Sequence, residues 1–557
     1  MRPLIAVRAV MIIVVILAAA PLMIASSAYS RSLAGLPVVP VGRQGEIGPP
    51  RVTSAAQSPS PVVARYSGVP SPFIPRDPVA FQEAKLAANA GHLSSRALVR
   101  TNSLAPGIAD AEFSFPVMSY EGQVAAFGLD QETLPPDTQL AAGPSYLLEV
   151  VNRSGSIWTK GGQLVSDFDL GSFFQVPAPY SFGDPRVLFD SASERWFVSG
   201  FAFDHYNDSQ VYIAVSATAN PTGAWSFYTV ASNTSGILYD QPKIGLSDDK
   251  VAISWNSFGT FSGSETMILQ KADMLAGSDV AFKSFGPDTS RFDVVPAQSL
   301  SSSSTEYLVY NNSDRSNLGD PTLGVVAISG TPGNGDVTWN ESDPPILATS
   351  VPPNAVQPSG PAIVTNDDRL LSAVWQNGIL WTSGNDMCVP AADTTDRSCL
   401  RLIQVSTASA SPTILQDFDV GWTDGYLFYP AVTLDGNGDA AFSFSMASSS
   451  TWASAAMADQ YSDEPASSVQ GPFPVQPGLG SFAFNCLPNY SINRWGDYSA
   501  AAPDPGNPSD VWVTGEYAAS STDRCDWGTA TAEVTLGQPW TRVFLPSVYG
   551  NDSPKSR

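Results

Sequence analysis

The chain has 557 residues, 43% apolar and 10% aromatic, and 52 acidic side chains against 28 basic ones give a net charge of −24. A surface that acidic repels nucleic acid and anionic membrane, and two histidines in the whole sequence exclude a histidine-rich metal centre. The length is ample for burying a core without dense cross-linking.

Arg2 and Arg8 precede an apolar run from Ala9 to Ala25, interrupted at Pro21, which gives way to Ser26, Ser27 and Ala28. This order of basic, apolar and small residues predicts a signal peptide over 1–28, and its loss makes the charge more negative still. No later stretch approaches the roughly 18 to 20 apolar residues of a membrane span. The expected mature protein is therefore secreted and extracellular, without membrane insertion, and is expected to be a monomer. Residues 29–110, rich in Pro, Ser, Ala and Val, read as a linker or pro-segment with one short helix within Val79–Arg100. From 111 to 540 short runs of Val, Ile, Phe, Tyr and Trp alternate with Gly, Pro, Asn, Asp and Ser clusters, the texture of strand and turn. Residues 541–557 read as a C-terminal tail.

Within that region one local plan recurs seven times: an Asp or Pro, a short apolar strand, a polar turn, and a second strand ending in aromatic or β-branched residues. The copies open at Asp137 (DTQLAAGPSYLLEVVN), Asp184 (DPRVLFDSASERWFVSGFA), Asp240, Pro296, Pro361, Pro430 and Asp497. A second hairpin follows where the sequence can be read the same way, as in VYIAVSATANPTGAWSFYTV from Val211 and LRLIQVSTASASPTILQDF from Leu400. Two hairpins per repeat make four strands, and a radial repeat of such sheets is a propeller. The expected fold is all-β, a seven-bladed β-propeller of four-stranded antiparallel blades. The last repeat shows one clear strand after its first hairpin, ATAEVTL, and Phe113–Phe127 is expected to supply the missing outer strand and close the ring. A pair of β-sandwiches also has regularly spaced strands, but does not predict seven copies of one turn plan.

The words LPPDTQLAAGPSYLLEVVN (Leu134–Asn152), GDPRVLFDSASERWFVSGF (Gly183–Phe201), IAVSATANPTGAW (Ile213–Trp225), YDQPKIGL (Tyr239–Leu246) and RWGDYSAAAPDP (Arg494–Pro505) with TGEY (Thr514–Tyr517) resemble a family of secreted bacterial β-propeller proteins, mostly uncharacterised. The resemblance covers nearly all of 134–517 and implies the fold; it carries no catalytic residues that transfer by position. SATANPTGAW (Ser216–Trp225) is more distantly similar to the Asp-box turns of sialidase-type propellers, without their Asp, and that likeness bears on architecture only.

Four cysteines in an exported chain predict two disulfides. Cys388–Cys399 and Cys486–Cys525 are the expected pairs, with stabilisation of about 3 and 4 kcal/mol. Residues opening the first strand of each blade approach one another around the channel. Asp137, Asp184, Asp240 and Asp497 are thus expected on one arc, with Arg186, Lys243 and Arg494 close by and Glu516 as a further carboxylate. Such an arc either fixes blades to one another through backbone amides and basic neighbours, or binds a ligand, or supplies an acid and base for a glycan bond. DGNGD (Asp435, Asn437, Asp439) raises calcium, but Ala440 and Met446 stand where that loop needs Gly and Glu. No metal site and no cofactor is predicted. No GxSxG, HExxH, Walker or dinucleotide motif occurs, and His205 alone offers imidazole chemistry in the propeller. Loop aromatics Tyr180, Phe182, Tyr206 and Trp422 are candidates for stacking a sugar ring or gripping a partner. The functional expectation is a binding or interaction module for an extracellular glycan or protein; the alternative is a glycoside hydrolase or lyase with an Asp-lined site at the channel.

Overall fold

The computed structural model describes residues 42–54, 73–91, 102–103, 113–127, 134–204, 208–259, 262–312, 321–484, 492–521 and 525–537, all within one compact unit, Val39–Arg557. The predicted leader and tail, His205, Tyr206 and Cys486 lie outside the described residues. Among the described residues no helix is long and apolar enough to cross a membrane.

The fold is an all-β propeller. Its strands form seven antiparallel four-strand sets, numbered here in chain order. Set one is Gln139–Ala142, Tyr146–Val151, Ser154–Thr159 and Leu164–Asp169; set two is Ser181–Asp190, Arg195–Asp204, Asp208–Ser216 and Ala224–Asn233. Set three is Leu238–Leu246, Lys250–Phe258, Ser262–Gln270 and Val280–Asp288; set four is Val295–Pro296, Glu306–Asn311, Leu323–Ser329 and Thr338–Ser342. Set five is Leu370–Gln376, Ile379–Cys388, Arg397–Ser406 and Thr413–Gly421; set six is Gly425–Leu434, Ala440–Ser448, Thr451–Gln460 and Gln470–Gln476. Set seven takes Ala500–Pro503, Asp510–Ala518 and Trp527–Thr535 from the end of the chain and its outer strand, Phe113–Ser119, from near the beginning. Phe113–Ser119 is the closing strand expected from the sequence, although Tyr120–Phe127 continues as a helix.

The blade count differs from the seven separate sheets expected. Five sheets stand alone, while sets three and five are joined in one eleven-stranded sheet through the short strand Gln298–Ser299, which pairs in parallel with Leu246 on one side and Val374–Trp375 on the other. The innermost strand of set four is short, Val295–Pro296, with the Ala297 amide still donating to the Tyr307 carbonyl (2.8 Å), and the chain then bridges its two neighbours.

The inner strands of the sets are buried on both faces, as in Leu238–Leu246 and Lys250–Phe258, where every residue is buried. This explains why the sequence shows apolar runs rather than clean alternation. The core is accordingly divided into layers between sets. Phe197, Val211 and Ile213 of set two meet Ile244, Val251 and Trp255 of set three; Leu402 and Phe418 of set five meet Leu427 and Phe442 of set six; Trp512 of set seven meets Leu140, Leu147 and Trp158 of set one. Close approach fixes some residue choices. A Cβ at Gly245 would lie 2.5 Å from both the Ala297 carbonyl oxygen and Glu306 Oε1.

The segment preceding the propeller contributes to it. Gly42–Ile47 pairs with Val280–Asp288, Arg51–Ser54 with Ala224–Asn233, and Asn102–Ser103 with Thr413–Gly421. A helix occupies Pro78–Asn89, its first turn capped by Asp77, whose Oδ1 accepts from the Val79 and Ala80 amides at 3.0 Å. Cys388–Cys399 is a disulfide; Cys525 is also disulfide-bonded.

Candidate functional site

Six of the seven sets carry, at or just ahead of the innermost strand, a residue in the left-handed backbone region: Asp137 (φ 53°), Asp184 (φ 46°), Gln241 (φ 49°), Asp293 (φ 56°), Asn366 (φ 49°) and Tyr429 (φ 58°). Aspartate and asparagine enter this region more readily than other non-glycine residues, because a short polar side chain can bond to nearby backbone. This is the physical reason for the aspartates at 137, 184 and 293. Tyrosine there is an outlier, and Tyr429 is held at both ends: its amide donates to Asn385 Oδ1 (2.7 Å) and its hydroxyl to the Val364 carbonyl (2.9 Å).

The repeat alignment is corrected in sets four to six, where Asp293, Asn366 and Tyr429 hold the positions assigned to Pro296, Pro361 and Pro430. In set six the proline directly follows the left-handed residue, as Pro185 follows Asp184 and Pro242 follows Gln241. In set three the left-handed residue is Gln241, and Asp240 precedes it.

These residues are stitched into a belt. The Asp497 amide donates to Asp137 Oδ1 (2.6 Å), Asn152 Nδ2 donates to Asp137 Oδ2 (2.6 Å), the Asp184 amide donates to Asn152 Oδ1 (2.7 Å), and the Gln241 amide donates to Asp184 Oδ2 (3.2 Å). Asp497 is the hub. Its carboxylate accepts from Asn366 Nδ2 (2.6 Å), Gln241 Nε2 (3.3 Å) and the Arg494 guanidinium (3.1 Å), so side chains from sets three and five meet set seven across the ring. On the opposite arc Arg369 donates to Gln241 Oε1 (2.5 Å), and Asp293 accepts from Lys243 Nζ (2.6 Å) and Asn256 Nδ2 (2.9 Å). Gly496 donates its amide to Glu516 Oε2 (2.7 Å), and Arg186 lies over the Tyr498 ring at 3.7 Å. The structure thus places all eight predicted site residues, Asp137, Asp184, Arg186, Asp240, Lys243, Arg494, Asp497 and Glu516, in the buried interior, each at most 7% exposed. Sequence reasoning missed Asn152, Gln241, Asp293, Asn366 and Arg369. An Asn ending the second strand of set one, in LEVVN, was the available signal.

Electrostatics follow from burial. Desolvation, together with the neighbouring carboxylates Asp497 and Asp184, raises Asp137 well above the carboxylate range, and desolvation with Asp184 does the same to Asp240. Burial likewise raises Glu516. Burial opposes the charge on Arg494, but Asp497 and Asp137 hold it above its usual value. Burial depresses Lys243 against the pull of Asp293, and Asp293, although buried, is held low by Lys243 and Arg369. Among the described residues no group of three or more His, Cys, Asp or Glu could hold a metal ion.

The chain before the propeller packs on this belt. Arg369 lies 4.7 Å from the centre of the Phe73 ring and donates to the Ile74 carbonyl at 3.3 Å. Lys85, 6% exposed, donates to the Pro352 carbonyl (2.6 Å), Thr365 Oγ1 (2.7 Å) and the Asn366 carbonyl (2.8 Å). Burial pushes the Lys85 ammonium down to about 7, against the opposing pull of Asp367 and Asp368. A lysine in water titrates near 10.4, so docking costs more as pH falls from about 10 towards 7 and the penalty levels off below that. Helix docking is therefore expected to tighten as pH rises through this window. Hydrogen exchange of the Phe81–Asn89 amides, corrected for intrinsic pH dependence, should show this in the native chain and not in Lys85→Met.

Beyond the belt the innermost strands of all seven sets line one channel cavity of about 70 Å³, bordered by Gln139, Arg186, Lys243, Pro296, Ala373, Val432 and Ala500 among others. At the other end, where the first hairpins turn, it widens to a vestibule of about 480 Å³ lined by Ser191, Ser299, Ser301, Ser302, Asp248 and Asp435 among others. Asp435 closes its own turn, Oδ1 accepting from the Asn437 (2.8 Å) and Asp439 (2.9 Å) amides. Of the loop aromatics, Phe182 belongs to the core at 1% exposure, stacked on Phe174 with centres 5.0 Å apart. Trp422 packs against the apolar layer between sets five and six, and Tyr180 against that between sets one and two.

No protein-family model matches this chain, and no curated protein matches it. Solved structures with a similar arrangement include an α-L-arabinofuranosidase from Fusarium graminearum (8% identity, 78% of this chain, 99% of that one, TM-score 0.36) and a Hadza microbial sialidase (10%, 72%, 65%, TM-score 0.35). A protein of unknown function from Dyadobacter fermentans is also similar (10% identity, 63% of this chain, 95% of that one, TM-score 0.33). At these values the likenesses carry no functional argument.

Proposed function

We propose that this chain is a secreted seven-bladed propeller that binds an extracellular glycan or protein at the hairpin-turn end of its channel. In this reading the acidic belt is the clasp of the ring rather than a catalytic site. The observation that carries the reading is the contrast between the two ends. At the belt Asp497 bonds across the ring to Gln241 and Asn366, and the channel cavity is about 70 Å³; ligand pockets are typically about 300 to 1,000 Å³, and the vestibule of about 480 Å³ falls in that range. The seven-blade count is supported by the seven innermost strands that line the one channel and by the apolar layer between sets seven and one. Secretion is supported by the leader pattern and by the Cys388–Cys399 disulfide.

Purified mature protein on a glycan array, with reducing-end release measured in parallel, tests the proposal. Binding without release is expected, and Asp184→Asn and Asp497→Asn should bind like the native chain once corrected for folded fraction. Release of reducing ends that either substitution abolishes would restore the hydrolase reading.

A further inference from the structure

The vestibule adjoins a second recess. Gln376 and Leu434 line both it and a cleft of about 350 Å³ between sets five and six. The cleft walls carry the side-chain amides of Gln376, Asn377, Gln404, Gln416, Asn437 and Gln460 above Ile379 and the buried Trp381. Glu464 is the one charged residue among those lining it, and its carboxylate already accepts from the Tyr461 amide (3.1 Å) and Gln470 Nε2 (2.7 Å).

Three of the amides form a relay. Gln460 Nε2 donates to Gln416 Oε1 (3.0 Å), which also takes the Ser467 amide (2.5 Å), and Gln416 Nε2 donates to Gln404 Oε1 (2.7 Å). The relay orients Gln460 and leaves its Oε1 without a hydrogen-bond donor, although the residue is 3% exposed. A buried acceptor in that state costs about 1 to 3 kcal/mol until a donor arrives. The donor chemistry is constrained by the walls. An anionic ligand would meet no counter-ion and a cationic one only the Glu464 carboxylate, already engaged by two donors, whereas hydroxyl groups both donate and accept, as amides do, and the apolar floor suits a C–H face.

We propose that this cleft is a subsite for a neutral sugar residue, one hydroxyl of which donates to Gln460 Oε1. This rests on the reading of the chain as a binding module and gives that module a ligand class. The test is calorimetric titration of the full mature chain with neutral hexose and pentose oligosaccharides and with a uronic-acid oligosaccharide. The variants are Gln460→Met, Gln404→Leu and the vestibule-filling Ser191→Trp, with thermal melts confirming the fold of each. A neutral oligosaccharide is expected to bind, and Gln460→Met to weaken it about tenfold, with Gln404→Leu weakening it in the same direction. If a neutral oligosaccharide binds and only Ser191→Trp weakens it, the subsite is wrong while the binding module stands. If only the uronic-acid oligosaccharide binds, the assigned ligand class is wrong. If no oligosaccharide binds and the glycan array is blank as well, the glycan reading fails along with the subsite.

Discussion

Replacing Asp497 with alanine is expected to lower the free energy of unfolding by roughly 3 to 5 kcal/mol, the range for breaking a buried charge-paired network. Three donors from three sets converge on this carboxylate: Asn366 Nδ2 at 2.6 Å, Arg494 at 3.1 Å and Gln241 Nε2 at 3.3 Å. Asp497 is 2% exposed, so water cannot readily replace the lost acceptor. Asparagine at the same position keeps one carbonyl oxygen in place and is expected to cost about 1 to 2 kcal/mol. Guanidinium unfolding followed by tryptophan fluorescence separates the two. A loss below about 1 kcal/mol for Asp497→Ala would show that the belt contributes little to holding the ring.

A chain that starts at residue 120 is expected to be less stable than one that starts at residue 111 by roughly 3 to 6 kcal/mol. The shorter chain lacks Phe113–Ser119, which pairs antiparallel with Trp527–Thr535. It loses the burial of Phe115 (9% exposed) and Met118 (5% exposed), each contributing about 1.5 to 3 kcal/mol. Phe115 also meets the Trp158 ring of set one with centres 5.6 Å apart, so the damage extends across the join between the last set and the first. Hydrogen exchange should find the alternate amides of Trp527–Thr535 that face Phe113–Ser119 unprotected in the shorter chain and protected in the longer, while those bonded to Asp510–Ala518 stay protected in both. Equal protection in both would mean that closure does not depend on this strand.

The architecture was readable in the sequence because the inner hairpins repeat a physical requirement. Asp137 and Asp184 recur since the backbone turns left-handed at or just ahead of the inner strand in six of the seven sets, and the apolar runs behind them are strands buried on both faces. The proline-led repeats misaligned because the requirement is for backbone conformation rather than for one residue type. Asp293, Asn366 and Tyr429 meet it with three different side chains, which a search for one word cannot join. The belt was half visible for the same reason: its aspartates stand in the repeats, while Asn152, Gln241 and Arg369 become partners only once distant sets converge. Gly42–Ile47 and Arg51–Ser54 left no pattern to find. Their sequences, GRQGEI and RVTS, show no sustained apolar alternation, and they are strands because each has an outer strand to pair with.

Those two early strands have a bearing on how the molecule avoids its own kind. Every radial sheet ends in a row of unpaired amides and carbonyls, a template on which another chain can add. Here the outer strands of sets two and three are covered by Arg51–Ser54 and Gly42–Ile47. That of set six, QGPFPVQ, carries two prolines, that of set one, LVSDFD, two aspartates, and that of set four is five residues long. Proline, charge and shortness each discourage strand addition. Proteolysis beyond Ser54 would strip the cover from two adjacent rims: Val280–Asp288, which still carries Lys283 and Pro287, and Ala224–Asn233, whose sequence AWSFYTVASN has neither proline nor charge. The trimmed ring would then be free to grow edge to edge.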